Sequence, residues 1–241
     1  MTDMNFEYEV LKIQSVWRGY KAKKMVRILK KKLDKSFSLT INPSHTRSIL
    51  KTKNLYETLK ELYIPDNYLA NMVVRPTMIK YDYVDSMAEV VPDKIAINAI
   101  INFYKNNKIN YILELGAGLG LWAALLIKGG LTVKVTDKDP KKGKTEPYVD
   151  IEELEATDAI EKYQDADCLF ICCPDSDSSY ADDALCLFTG KYVIYIGEGE
   201  EGYNAEQQFF YQLEDDWTHI QTVNVKKWER HNAQMDFYVR K

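Results

Sequence analysis

A run of glycines set between a strand pattern and a helix pattern restricts this chain more than any other feature. Tyr111–Leu115 is apolar and strand-like, and it feeds into Glu114-Leu-Gly116-Ala-Gly118-Leu-Gly120. The following LGLWAALLIKGG reads as a helix stopped by Gly129-Gly130. Glycines here permit a tight turn and let the backbone approach a ligand closely. The helix behind them offers unpaired N–H groups and the positive end of its dipole. A second strand, LTVKVTD, ends at Asp137, 21 residues beyond Gly116. An acid at that distance can accept hydrogen bonds from a ribose. Strand, glycine loop, helix, strand and terminal acid in this order point to a nucleoside-binding βαβ unit in a parallel sheet, the alternative being a glycine-rich turn of an α/β protein that binds another ligand or none.

The rest of residues 93–241 repeats the alternation. DKIAINAIINFYKN reads as an amphipathic helix capped by Asp93, and IEELEATDAIEKY as partly helical. ADCLFICCPD and KYVIYIGEG read as strands, SSYADDALCLF and AEQQFFYQLEDDW as helices. THIQTVNVKKW and QMDFYVRK read as two closing strands. The predicted fold is α/β: a doubly wound, mainly parallel sheet with a terminal antiparallel hairpin. Ahead of it, residues 36–92 form a connecting, substrate-side segment. There KSFSLTINPSHT reads as a loop with Asn42-Pro43 as a turn signal. NLYETLKELY reads as a short helix ended by Ile64-Pro65, and RPTMIKYDYVDSMAEVVP as partly extended. Residues 1–35 form a third part, a basic amphipathic helix.

The glycine spacing selects among ligands. Dinucleotide folds carry G-x-G-x-x-G, but Leu121 stands where the third glycine would be. The acid-x-G-x-G-x-G form led by Glu114 instead resembles the first motif of Rossmann-like (class I) S-adenosylmethionine-dependent methyltransferases. That resemblance implies S-adenosyl-L-methionine as cofactor, held by Glu114, Gly116, Gly118 and Gly120. It also implies that the acid ending the second strand, Asp137 with Asp139 as the alternative, binds the ribose hydroxyls. From Tyr81 to Lys241 the chain also resembles a poorly characterised family of small methyltransferases from bacteria and microbial eukaryotes. The shared features are VVPDKIAINAI before the glycine motif, Trp122 after it, Tyr195-Ile-Gly197-Glu198, and a late aromatic-rich helix before a last strand. The departure is Cys172-Cys173-Pro174-Asp175, where that family carries Trp-Pro-Pro. It removes the residues on which an amine-methylating role would be carried over.

Ligands of open α/β sheets collect beyond the carboxyl ends of the strands. Those ends are expected at Gly116, Asp137, Pro174-Asp175 and Gly197-Glu198. Cys173, Asp175 and Glu198 are therefore the candidates for the methyl-acceptor site, with Asp175 or Glu198 able to take a proton or orient an amine or hydroxyl. The bland alternatives are that Asp175 starts a turn or caps the next helix, and that Glu198, Glu200 and Glu201 form a solvated loop. Adenine-directed methyltransferases often carry Asp/Asn-Pro-Pro-aromatic at the fourth strand, and this chain has one of the two prolines. Ribose-methylating enzymes use a Lys-Asp-Lys-Glu set. Its nearest matches here are Lys94, Asp175, Lys191 and Glu198, with Lys191 ahead of its strand rather than beyond it.

Charge is divided unevenly. Residues 1–60 carry 14 Lys+Arg against 5 Asp+Glu, and residues 61–241 carry 18 against 31. A basic arm on an acidic body suggests an acidic partner for the arm. Within it, Ile13-Gln14-x-x-x-Arg18-Gly19-x-x-x-Lys23 fits the IQ motif. That resemblance implies calmodulin or a related EF-hand protein, with Ile13, Trp17 and Tyr20 entering an apolar cleft. Two alternatives remain open. The helix can pack on the body through Val10, Ile13 and Trp17, or its ten Lys+Arg over residues 12–35 can hold nucleic acid or a membrane surface.

Cys168, Cys172, Cys173 and Cys186 cluster in one apolar region rather than spreading as a disulfide framework would, and they fit no zinc spacing. With no apolar run near the ~20 residues of a membrane span and no apolar core in MTDMNFEYEV, a reducing, cytoplasmic setting without a metal site is expected. The function expected is methyl transfer from S-adenosylmethionine. The alternative is a degenerate fold of the same kind, serving as an adaptor that binds an EF-hand protein or RNA through its basic helix.

Overall fold

In the computed structural model, residues 42–64, 83–84, 87–140, 145–228 and 231–241 are described. The basic helix expected over residues 6–35, with its IQ-like stretch Ile13–Lys23, lies outside them.

The first element corrects the sequence expectation. PSHT belongs to helix α1 (Pro43–Thr52), not to a loop. Asn42 is its N-cap, accepting the His45 N–H at 3.0 Å, and Pro43 occupies the first turn. An Asn-Pro pair serves equally as a turn signal or as cap plus first helical residue. Burial of Thr46 and Ile49 decides for the helix. Helix α2 (Leu55–Glu61) begins with a capping box in which Asn54 and Glu57 satisfy each other's backbone N–H. Helix α3 (Lys94–Asn106) is capped by Asp93, whose carboxylate accepts from the Ala96 N–H at 2.8 Å. It buries Ala96, Ile97, Ile100, Ile101 and Phe103, a stripe at helical spacing.

Seven strands follow in one sheet: β1 (Ile112–Leu115), β2 (Val133–Asp137), β3 (Glu152–Glu153), β4 (Cys168–Cys172), β5 (Tyr192–Gly197), β6 (Trp217–Asn224) and β7 (Gln234–Arg240). Their spatial order is β3-β2-β1-β4-β5-β7-β6. The first five run parallel, and β7 is antiparallel to both β5 and β6. Helices α4 (Leu121–Lys128), α5 (Ala156–Lys162), α6 (Tyr180–Leu187) and α7 (Gln207–Asp216) occupy the connections. The fold is the doubly wound, mainly parallel sheet with a closing antiparallel hairpin that the alternation predicts. Two details were not legible. The two-residue β3 lies in a stretch read as acidic and partly helical, and it pairs beside Thr136 and Asp137. The last strand does not sit at the rim but inserts between β5 and β6.

Burial explains the order. β1 and β5 are buried throughout, as central parallel strands covered on both faces must be. Their side chains alternate between two layers. Leu113, Leu115, Leu169, Ile171, Val193 and Tyr195 face α5, α6 and α7, meeting Ile160, Leu185 and Phe209. On the other face Trp122 of α4 meets Phe170 edge-on at 6.0 Å, and Phe103 of α3 meets Phe237 at 4.8 Å. Glu114 shares the register of Ile112 and so points toward the α4 face. β6 is the outer edge, with Thr218 to Thr222 all exposed.

Candidate functional site

At the carboxyl end of β1 the chain turns through the glycine loop. Gly116 has φ +63° and Gly118 has φ +56°, left-handed conformations that side chains resist. Their surroundings differ. A Cβ on Gly116 would come within 2.7 Å of the Tyr180 hydroxyl, whereas one on Gly118 would meet nothing within 4 Å. Gly116 therefore makes room for a neighbouring side chain, and Gly118 opens onto empty space. Gly120 is the N-cap of α4, where a Cβ would strike Val149.

Asp137, the last residue of β2, knits this loop together. One carboxylate oxygen accepts the Gly118 N–H at 2.8 Å and the other accepts the Asp139 N–H at 2.8 Å. Asp139 lies exposed beyond it.

The space in front of Gly118 is a cavity of about 1120 Å³. Its walls hold Glu114, Gly116, Gly118, Asp137 and Asp139 together with Cys173, Asp175 and Tyr180. Among the described residues, seven acidic side chains line it (Glu89, Glu114, Asp137, Asp139, Glu155, Asp175, Asp177) with one lysine, Lys138. Glu114 is the most unusual of them. It is 2% exposed, and its Oε2 has no hydrogen-bond partner among the described residues. Burial, reinforced by the charge of Asp137, pushes its pKa up to about 8. A buried, unpartnered carboxyl oxygen costs free energy, and a cationic or N–H-bearing ligand would relieve that cost.

The run after β4 closes the cavity floor. Cys173 adopts φ +49°, and its N–H donates to the Ile196 carbonyl at 2.7 Å. Asp175 is exposed, lines the cavity, and bridges to Asn204 across an isolated antiparallel pair. The Cys172 thiol is held well above its ordinary pKa by its side-chain hydrogen bond with Cys173, by burial, and by the nearby Cys173, Glu114 and Glu89. Glu198 does not line this cavity. It is buried, with Oε2 accepting the Tyr203 N–H at 2.9 Å and Oε1 accepting the Asn232 N–H at 2.7 Å. Glu198 thus ties the loop after β5 to the approach to β7, and its environment is not the solvated loop considered from sequence. The Lys-Asp-Lys-Glu set is not assembled in the cavity, since neither Lys94 nor Lys191 lines it.

No family model and no curated protein matches this chain. Among solved structures it is similar to magnesium protoporphyrin IX methyltransferase from Synechocystis PCC 6803 with bound S-adenosylmethionine. That match has 8% identity and TM-score 0.43, over 72% of this chain and 88% of the other. It is also similar to 1,6-didemethyltoxoflavin-N1-methyltransferase from Burkholderia thailandensis, at 12% identity and TM-score 0.42, over 61% of this chain and 79% of the other. A third likeness, to the methyltransferase domain of bacterial CtHen1-CN, has 9% identity and TM-score 0.42, over 61% of this chain and 98% of the other.

Several walls of the site carry no local sequence signal. The sequence pattern marks Tyr180 only as part of a helix. It lies at the first turn of α6, and its phenol is pushed far above the ordinary range, first by burial and then by Asp175. No local signal links it to Gly116, 64 positions earlier. Met87 and Glu89 come from the stretch read as partly extended, and that segment is anchored from the body. The Trp122 indole donates to the Val90 carbonyl at 3.2 Å, and the Trp228 indole donates to the Glu89 carbonyl at 3.0 Å. Among the described residues no group of three or more His, Cys, Asp or Glu is placed to hold a metal. Nor is any helix there long and apolar enough to cross a membrane.

Proposed function

We propose that this protein is an S-adenosylmethionine-dependent methyltransferase. The observation that carries the reading is Glu114 Oε2, buried and without a hydrogen-bond partner among the described residues, on the wall of a cavity that seven described acidic residues line, directly behind the glycine loop. A dinucleotide would place a doubly anionic pyrophosphate among those carboxylates, and like charges in a half-enclosed cleft repel. S-adenosylmethionine carries no phosphate. It offers a sulfonium, an ammonium and a ribose diol, which the same carboxylates suit. Glu114 would take the ammonium end. Asp137 would take the ribose hydroxyls, since each of its oxygens keeps a second lone pair beyond the backbone bond it already accepts. Gly118 leaves the surface bare for close approach of the ligand.

When bound, the cofactor supplies an electrophilic methyl group. The protein's part is to align an acceptor with it and exclude competing water, which brings most of the rate. Cys173 and Asp175 stand where the acceptor would enter, with Asp175 as the group to receive or share its proton. Glu198 supports that wall through the two N–H groups it accepts. Calorimetry with S-adenosylhomocysteine and with NAD tests the reading. The first should bind and raise the melting temperature, and the second should do neither. The reverse order would overturn it.

For the amino-terminal arm, the IQ-like spacing Ile13–Lys23 and the surplus of basic residues support a calmodulin-like EF-hand partner. The clustered cysteines, none of them in a disulfide, support a reducing, cytoplasmic setting.

A further inference from the structure

A second cavity, of about 320 Å³, opens beside the first. The two share Glu89, Cys173 and Asp175, so the boundary between them is a mouth flanked by two carboxylates. Beyond that mouth the smaller cavity is walled by Trp228 and Tyr203, with Lys227 and His231 also lining it. Trp228 is 6% exposed and held edge-on against Tyr83 at 5.5 Å, which makes it a rigid wall. Tyr203 is 78% exposed and stands at the rim. On the larger cavity's side the mouth is negative, where the charges of Asp175 and Asp137 both act on the Tyr180 phenol.

We infer that the smaller cavity is the methyl-acceptor pocket and that it takes a small molecule carrying an amine, with the nitrogen at the Glu89–Asp175 mouth and an apolar or aromatic body against Trp228. This rests on the methyltransferase reading and narrows it. The volume suits a small molecule. A phosphodiester or carboxylate at the mouth would meet like charge, whereas an ammonium is drawn in. The chemistry balances. One ammonium proton passes to the Asp175 carboxylate and on to water, because Asp175 is exposed. The freed nitrogen lone pair forms the N–CH3 bond as the S–CH3 bond breaks, and the sulfonium leaves as a neutral thioether.

The test is calorimetric, on the full chain, in two stages. S-adenosylhomocysteine is titrated first. The loaded protein is then titrated with tyramine and, separately, with 4-hydroxyphenylacetate, which keeps the ring and exchanges the ammonium for a carboxylate. Tyramine should bind and the acid should not. Asp175→Asn, at an exposed position, should weaken tyramine about tenfold on the S-adenosylhomocysteine-loaded protein, the effect of losing one charge-assisted contact. Asp175→Lys should admit the acid and reject the amine. Failure of S-adenosylhomocysteine to bind overturns the methyltransferase reading, and the inference with it. If S-adenosylhomocysteine binds while the acid matches the amine, or neither probe binds, the inference alone is overturned.

Discussion

Replacing Glu114 with Gln should change how both stability and cofactor affinity depend on pH. In the folded chain the Glu114 carboxyl holds its proton up to about pH 8, against an ordinary value of 4.5. Between those values the native state binds more protons than the unfolded chain. Stability contributed by this group is therefore full at acid pH and falls as pH rises through the window. The slope is up to about 1.4 kcal/mol per pH unit, roughly 5 kcal/mol over the whole window, and less where water enters the cavity and solvates the carboxylate. A cationic ligand reverses the preference, because it favours the ionised form. At pH 7 only about one carboxyl in ten is ionised, so affinity should rise about tenfold per pH unit from pH 6 toward 8 and level off above it. The assay is calorimetric titration with S-adenosylhomocysteine at pH 6, 7 and 8 in two buffers of different ionisation heat. Proton release should approach one per ligand at pH 6. In Glu114→Gln the pH slope, the proton release and the fall in apoprotein melting temperature over the window should all disappear. A flat affinity in the parent protein, or an undiminished slope in Glu114→Gln, would refute the role given to this carboxylate.

The glycine loop separates space from strain. Gly116→Ala puts a Cβ 2.7 Å from the Tyr180 hydroxyl at a left-handed residue, so it should cost at least ~1–2 kcal/mol in denaturant unfolding and disturb the cavity. At Gly118 a Cβ meets nothing within 4 Å, so Gly118→Asp should cost about the same backbone strain without a clash at Cβ, yet abolish S-adenosylhomocysteine binding by filling the cradle. Asp137→Ala should weaken cofactor binding by about 1.5–3 kcal/mol and Asp139→Ala by less; the opposite ranking would show that the ribose lies beside Asp139. In a calmodulin pull-down with and without calcium, Trp17→Ala should lose a central anchor, with a cost of ~2 kcal/mol or more. If the arm holds RNA instead, changing Lys30, Lys31 and Lys32 to Ala should hurt more than Trp17→Ala, and binding should fall steeply with salt.

What could be read along the chain was what depends on neighbours in sequence. The strand at Ile112–Leu115, the glycines behind it and the acid that ends the next strand at Asp137 are one local unit, and the tight turn between them leaves few ways to fold. The same holds for Asp93, which caps the helix it precedes, and for the alternation that implies a parallel sheet. Asn42-Pro43 shows the limit of such reading, since a turn and a helix start use the same two residues and only the burial of Thr46 and Ile49 separates them. The tertiary structure decided which distant groups meet. It set Tyr180 against Gly116, brought Glu89 to the mouth beside Asp175, and left Glu114 Oε2 buried without a partner among the described residues. It also gave Glu198 two backbone N–H groups to hold, from segments 5 and 34 residues further along. Each of these depends on strand order and on which face a side chain takes. Those are settled by packing seven strands and their helices at once, through contacts whose sequence separation leaves no periodicity to read.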